Sequence, residues 1–84
     1  MDNLELCKRI DEVMLNEEFN LNISSVGNQA TLKIEMVGKQ IEILKVGLLY
    51  SVEIDNKQYE SNKLAIVAAL SPYLGKRLII GLFG

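Results

Sequence analysis

The fold is decided by residues 19–60, which read FNLNISSVGNQATLKIEMVGKQIEILKVGLLYSVEIDNKQYE. Large apolar residues alternate with polar ones through this stretch, a pattern typical of strands that bury one face. Turn sequences separate the alternating runs at Gly27-Asn28, Gly38-Lys39, Gly47 and Asp55-Asn56. Sequential strands joined by short turns form an antiparallel meander. The sequence therefore predicts four to five short strands in one sheet.

The same alternation assigns a buried face to each predicted strand. The inward positions of the first and fourth strands are Phe19, Leu21, Ile23, Leu48, Tyr50, Val52 and Ile54. The phase slips after Ile43, so that Leu44, Val46 and Leu49 fall outside the inward set. Exposed apolar positions of this kind usually mark interfaces, so we expect the protein to form homo-oligomers.

Helical periodicity flanks the predicted sheet on both sides. Helix 1 is predicted from about Asn3 to Leu15. Helix 2 is predicted to start near Ser61 or Asn62, with Pro72 either ending or kinking it and Gly75 closing the segment. The inward stripe of helix 1 is Leu4, Cys7, Ile10 and Met14, widened by Leu6 and Val13. In helix 2 the inward residues are Leu64, Val67, Ala68 and Leu70, and the alanines 65, 68 and 69 allow close approach to the sheet. The predicted fold is a single-domain α+β protein, residues 1–84, in α-β-β-β-β-α order. It is a two-layer sandwich with an antiparallel β-meander, a C-terminal helix and an apolar tail.

Composition excludes several classes of function. The chain has 84 residues, a formal net charge of −2, one Cys and no His. One Cys cannot form an intramolecular disulfide, and zinc sites built from Cys and His ligands are excluded. We expect no metal and no cofactor. The acidic start of the chain does not resemble a signal peptide, and no apolar run is long enough to span a membrane. These features favour a cytoplasmic protein that does not engage membranes.

The candidate catalytic groups are few. Cys7 lies on the inward stripe of helix 1, where it is either a thiol activated by Lys8 or a small buried hydrophobe. The paired carboxylates Asp11-Glu12 and Glu17-Glu18 occupy adjacent positions, which point in different directions on a helix. The six glycines are scattered and form no phosphate-binding loop. We therefore expect the protein not to be an enzyme.

Nucleic-acid binding is the alternative that the element order raises. Helix 2 begins with Ser61-Asn62-Lys63-Leu64-Ala65, and a helix, a strand meander and a helix in this order are similar to the double-stranded-RNA-binding domain. That resemblance implies lysines at the start of helix 2 that contact phosphates, whereas this chain has Lys63 alone there. The outward sheet positions also carry no aromatic residue on which a base could stack. We expect no nucleic-acid binding, and keep a nucleic-acid-associated accessory protein as the alternative function.

The apolar tail is a candidate interface. Its large hydrophobic residues are Leu78, Ile79, Ile80, Leu82 and Phe83. Three interpretations stay open for it. The tail is a final strand or turn that completes the core, a segment that pairs with another subunit, or a membrane-touching amphipath with Lys76 and Arg77 at its polar end.

Acidic residues concentrate in the first 18 positions, which contain six acids and two bases. Those that lie off the apolar stripe form a candidate acidic recognition surface: Glu5, Glu12, Glu17 and Glu18. Such a surface steers basic partners, although the same residues are also accounted for by solubility alone. Together, these features predict a small, non-enzymatic, homo-oligomeric protein-binding module, an adaptor or inhibitor whose protein partner the sequence does not identify.

Overall fold

A computed structural model describes residues 3–15 and 18–83. Three helices and five strands lie in these ranges. The helices are α1 (Asn3–Met14), α2 (Lys63–Leu74) and α3 (Lys76–Phe83). The strands are β1 (Asn20–Val26), β2 (Gln29–Met36), β3 (Lys39–Val46), β4 (Leu49–Ile54) and β5 (Lys57–Glu60).

The five strands form one open antiparallel sheet in the order β1-β2-β3-β4-β5. Each neighbouring pair is joined by a turn of two residues. Asp55 and Asn56 have φ values of 49° and 69° in the β4–β5 turn, the left-handed conformation that a type I′ hairpin turn requires. Asp and Asn tolerate that conformation better than most residues, so this turn sequence fixes the register of the last hairpin.

The helices pack against one face of the sheet, which makes the fold a two-layer α+β sandwich as predicted. The core lies between the layers, and α2 contacts both α1 and α3. The largest side chains buried in it are Leu6, Ile10, Leu32, Ile34, Ile41, Ile43, Ile54, Ile66, Leu70, Ile79 and Phe83. Strands β2 to β4 supply most of the sheet side of this core, because their alternate residues face the helices, and β5 adds Tyr59.

The predicted inward stripes of the two long helices are correct in part. Leu4 and Leu64 are exposed and were wrongly placed, and the buried Ile66 was not predicted. The residues buried as predicted are Leu6, Ile10, Val13, Met14 and Leu70. In α2 the residues that contact the core are Ala65, Ile66, Ala69 and Leu70. Alanines on this face let the helix lie close to its neighbours, so the small residues, rather than the bulky Leu64, mark the inward side.

Pro72 lies inside α2, which continues to Leu74, so the prediction that this proline ends the helix was wrong. The helix ends before Gly75, the residue predicted to close the segment. The φ of Gly75, 84°, is in the left-handed region, and its backbone N–H donates to the Ser71 carbonyl. Glycine takes this conformation without steric penalty, which explains the stop at that residue.

The tail forms the helix α3, and the expectation of a final strand or turn was therefore wrong in secondary structure. Ile79 and Phe83, four residues apart on the same helical face, are buried in the core. In the part of the chain that the structure describes, no helix has the length and apolar character needed to cross a bilayer.

Candidate interaction surfaces

The outer face of the sheet, opposite the helices, is polar over most of its area. Its exposed or half-buried side chains include Asn22, Lys33, Glu35, Glu42 and Glu53. The Lys33 ammonium lies 3.7 Å from a Glu42 carboxylate oxygen, and the Asn22 amide donates to Glu35 at 2.9 Å. These contacts are between solvated groups, so they fix side-chain positions more than they stabilise the fold.

One corner of this outer face is apolar. Four residues here are successive partners in the register of β1 to β4, namely Val26, Gln29, Val46 and Leu49. Leu48 adjoins them in the β3–β4 turn. Val26, Leu48 and Leu49 are 78%, 92% and 76% exposed, and Val46 is also exposed. We call Val26, Val46, Leu48 and Leu49 the apolar corner.

The sequence pattern predicted only some of the residues of this corner. It placed Val46 and Leu49 outside the inward phase, as the structure does, but it assigned Leu48 to the buried face. Leu48 lies in a two-residue turn, where the alternation of a strand no longer applies. Val26 follows Asn20, Asn22 and Ser24 at the two-residue spacing of one strand face. The same alternation could therefore have placed Val26 on the outer face.

The described residues of the predicted acidic surface lie on α1 and on the segment before β1. Glu5 and Glu12 are exposed on α1, Glu18 is exposed before β1, and Glu17 lies outside the described residues. The Glu12 carboxylate accepts from Arg9 at 3.4 Å. The same guanidinium donates to Asp55 at 3.1 Å and so ties α1 to the last hairpin turn. Glu12 is thus engaged by a base of the chain itself.

The five apolar tail residues have two different environments. Ile79 and Phe83 are in the core, Leu78 and Ile80 are exposed, and Leu82 is half-buried. The Tyr50 and Phe83 rings meet edge to face with centroids 5.8 Å apart. The Tyr50 hydroxyl donates to the Phe83 carbonyl at 3.0 Å, and Lys45 Nζ lies 3.5 Å from the same oxygen. These contacts fasten the end of α3 to β3 and β4.

Cys7 is half-buried against the core. Burial raises the pKa of its thiol, and the negative charge of Asp11 raises that pKa further. Both effects favour the protonated thiol, which is a poor nucleophile and a poor metal ligand. Among residues 3–15 and 18–83, no group of three or more Cys, Asp or Glu side chains is placed to hold a metal ion.

An open depression of about 440 Å³ lies at the end of the sheet opposite the apolar corner. Glu35, Lys39, Gln40, Glu53 and Asp55 are among its lining residues. The Asp55 carboxylate is already bound by Arg9 and by the Gln40 backbone N–H, the latter at 3.1 Å. The depression is lined largely by polar residues and is open to solvent, so it lacks the apolar enclosure of a typical small-molecule site.

Comparison of the chain with protein-family models, with curated proteins and with solved structures found no significant match.

Proposed function

We propose that this protein is a small, non-enzymatic protein-binding module, an adaptor or inhibitor that works as a homo-oligomer and binds its protein partner through the apolar corner. The observation that carries the proposal is the clustering of Val26, Val46, Leu48 and Leu49 on a sheet face whose other side chains, apart from the half-buried Leu44, are polar. An apolar cluster rimmed by polar side chains is the typical arrangement of a protein interface.

The chemistry around the corner suggests the character of the partner. The corner itself offers aliphatic side chains, so its counterpart would present apolar groups. The exposed acids Glu5, Glu12 and Glu18 lie outside the corner and would act at longer range. A basic partner would approach such a surface faster than a neutral one, and this acceleration would decrease with added salt.

The proposal is tested by recovering partners from a lysate of the source organism on the immobilised protein. Three baits are compared: the wild type, Leu49→Glu and Leu4→Glu. Leu4 and Leu49 are each 76% exposed, but Leu4 lies on α1, away from the corner. The two variants therefore introduce the same charge at equally accessible positions, and differ only in which surface they alter.

We expect a defined protein to be retained by the wild type and by Leu4→Glu, and to be lost with Leu49→Glu. Titration of the purified partner should then show at least about a tenfold weaker dissociation constant for Leu49→Glu, because a buried leucine contributes about 1.5–3 kcal/mol. Equal retention by all three baits would contradict the role of the corner. Recovery of nucleic acid in place of protein would support the alternative function, with a dissociation constant that rises steeply with salt.

A further inference from the structure

The two edges of the sheet differ in how well they are protected against pairing with another chain. β5 is four residues long and carries Lys57, and short, charged edge strands resist such pairing. β1 is seven residues long, exposed throughout, and among the described residues it pairs with β2 alone. Its sequence, Asn20–Val26, contains no charged residue and no proline, and its register with β2 is continuous.

The direction of the β1 backbone groups follows from the hairpin. The Gly47 N–H donates to the Asn28 carbonyl at 3.0 Å, so the backbone of Asn28 faces β3. The directions of the backbone N–H and C=O groups alternate along a strand. The backbone groups of Gln29 therefore point toward β1, where they pair with those of Val26 across the two-residue turn. The same alternation turns the N–H and C=O groups of Leu21, Ile23 and Ser25 toward the open edge.

We propose that β1 is a self-pairing edge: two copies of the chain join β1 to β1, antiparallel, about a two-fold axis at Ile23, so that their sheets become continuous. This inference rests on the homo-oligomeric state in the proposed function and names the surface that forms it. It engages Val26 at the end of β1 and leaves Val46, Leu48 and Leu49 of the apolar corner available to a different protein.

The strand is self-complementary in this register. Pairing about Ile23 places Asn20 opposite Val26 of the second copy and Leu21 opposite Ser25, so that the full strand is used. The three residues with open backbone groups are symmetric about Ile23, and each of their donors therefore meets an acceptor. On the outer face Asn22 lies opposite Ser24, an amide beside a hydroxyl.

The side chains on the helix side of β1 gain cover in the same arrangement. Leu21 and Ile23 lie opposite Ile34 and Leu32 in the β1–β2 register, and therefore share the face that the helices cover farther along the sheet. Both are nevertheless exposed. About the two-fold axis the two Ile23 side chains become neighbours, and the absence of charge in β1 removes like-charge opposition. A second copy thus fits this edge in hydrogen bonding, in apolar contact and in charge.

The expected dimer is weak. A single pair of edge strands buries less than the ~1,200 Å² at the lower end of stable interfaces. The test therefore extends from micromolar to near-millimolar protein and combines sedimentation equilibrium with residue-resolved amide hydrogen exchange. In the dimer, the amides of Leu21, Ile23 and Ser25 should exchange as slowly as those of Asn22 and Ser24, and dilution should make only the first three fast again.

Substitutions separate this edge from the other exposed surfaces. Ile23→Lys places two ammonium groups side by side at the axis and should raise the dimer dissociation constant at least about tenfold. Ser25→Pro removes a backbone donor that faces the open edge, without disturbing the β1–β2 bonds, and should also weaken the dimer. Leu49→Lys, at the apolar corner, is the matched control and should leave the dissociation constant unchanged.

Any of three results would overturn the proposal. The first is a 9.4 kDa species over the whole concentration range. The second is a dimer in which the Leu21, Ile23 and Ser25 amides still exchange fast. The third is a dimer that is dissociated by Leu49→Lys and not by Ile23→Lys. The exchange measurement uses the wild type, so it decides the matter even where a variant fails to fold. Binding of a protein partner to the apolar corner is measured in the separate retention experiment, so either idea can fail alone.

Discussion

Ile23 and Leu32 face each other across β1 and β2, yet Leu32 is fully buried whereas Ile23 is 46% exposed. The two side chains lie on the same face of the sheet, at neighbouring positions. The difference arises because the helix layer covers the strands from β2 onward, while β1 lies at the margin of that layer. The boundary of the core therefore passes between two aliphatic residues that are equivalent in the sequence pattern.

That boundary predicts unequal effects of substitutions along β2. Leu32→Ala should lower the free energy of unfolding by about 2–5 kcal/mol, because the removed methyl groups leave a cavity in a packed core. The adjacent Thr31 is only half-buried on the other face, and Thr31→Ala should change that free energy by no more than about 0.5 kcal/mol. Urea unfolding followed by circular dichroism measures both. Similar losses for the two variants would contradict the assignment of faces.

The tail provides a second comparison. Phe83 is buried against Tyr50, and Phe83→Ala should cost about 3–5 kcal/mol of unfolding free energy. A domain of this size has only about 5–10 kcal/mol in total, so the variant should melt far below the wild type. Ile80, exposed on the same helix, is the control, and Ile80→Ala should cost about 1 kcal/mol or less. Equal melting temperatures for wild type and Phe83→Ala would show that α3 is not part of the stable fold.

The start of α2 allows a test of a single hydrogen bond. Asn62 has an extended backbone, and its side-chain oxygen accepts from the Ala65 N–H at 2.9 Å, which is the arrangement of an N-cap. Asn62→Ala should lower the free energy of unfolding by about 1 kcal/mol, because that donor loses its acceptor. Asn62→Asp keeps an acceptor and adds a favourable charge at the helix N-terminus, so it should match the wild type. Thermal unfolding of the three proteins distinguishes these outcomes, and an Ala variant as stable as the wild type would argue against the cap.

The strand order was predictable from the sequence because alternation and two-residue turns act locally. Asp55-Asn56 needs no distant contact to adopt a type I′ turn, and Gly27, Gly38 and Gly47 supply positive φ at the other turns. The exposure of β1 was not predictable in this way. Phe19, Leu21 and Ile23 alternate as a buried strand does, but their burial depends on whether a helix lies over them. That is a property of the assembled layers.

The tail shows a second limit of the pattern. The run from Leu78 to Phe83 is almost continuously apolar, so neither a helical nor a strand period stands out. Gly75 separates it from α2 and allows the chain to turn, and only the four-residue spacing of Ile79 and Phe83 indicates the helix. The sequence predicted the apolar corner only in part, for a related reason. Its members come from several strands, and sequence alone does not show that Val26 and Val46 lie at one end of the sheet.

A side-chain hydrogen bond joins α1 to α2. The Tyr73 hydroxyl donates to the Asp11 carboxylate, and this hydrogen bond raises the pKa of Tyr73 above its ordinary value of 10.0. A raised pKa in the folded state means that the contribution to stability is complete below pH 10.0 and is lost as the pH rises through the higher, folded-state value.

Tyr73→Phe should therefore lower the free energy of unfolding at neutral pH, by about 0.5–1 kcal/mol because the bond is exposed to solvent. The gap between wild type and variant should shrink as the pH rises above 10.0, where the ionised phenolate faces a carboxylate. Urea unfolding across this pH range measures the gap. Asp11→Asn serves as the control, since Tyr73→Phe in that background should show a smaller pH-dependent difference. A gap that stays constant through the titration would mean that the bond does not link the two helices in solution.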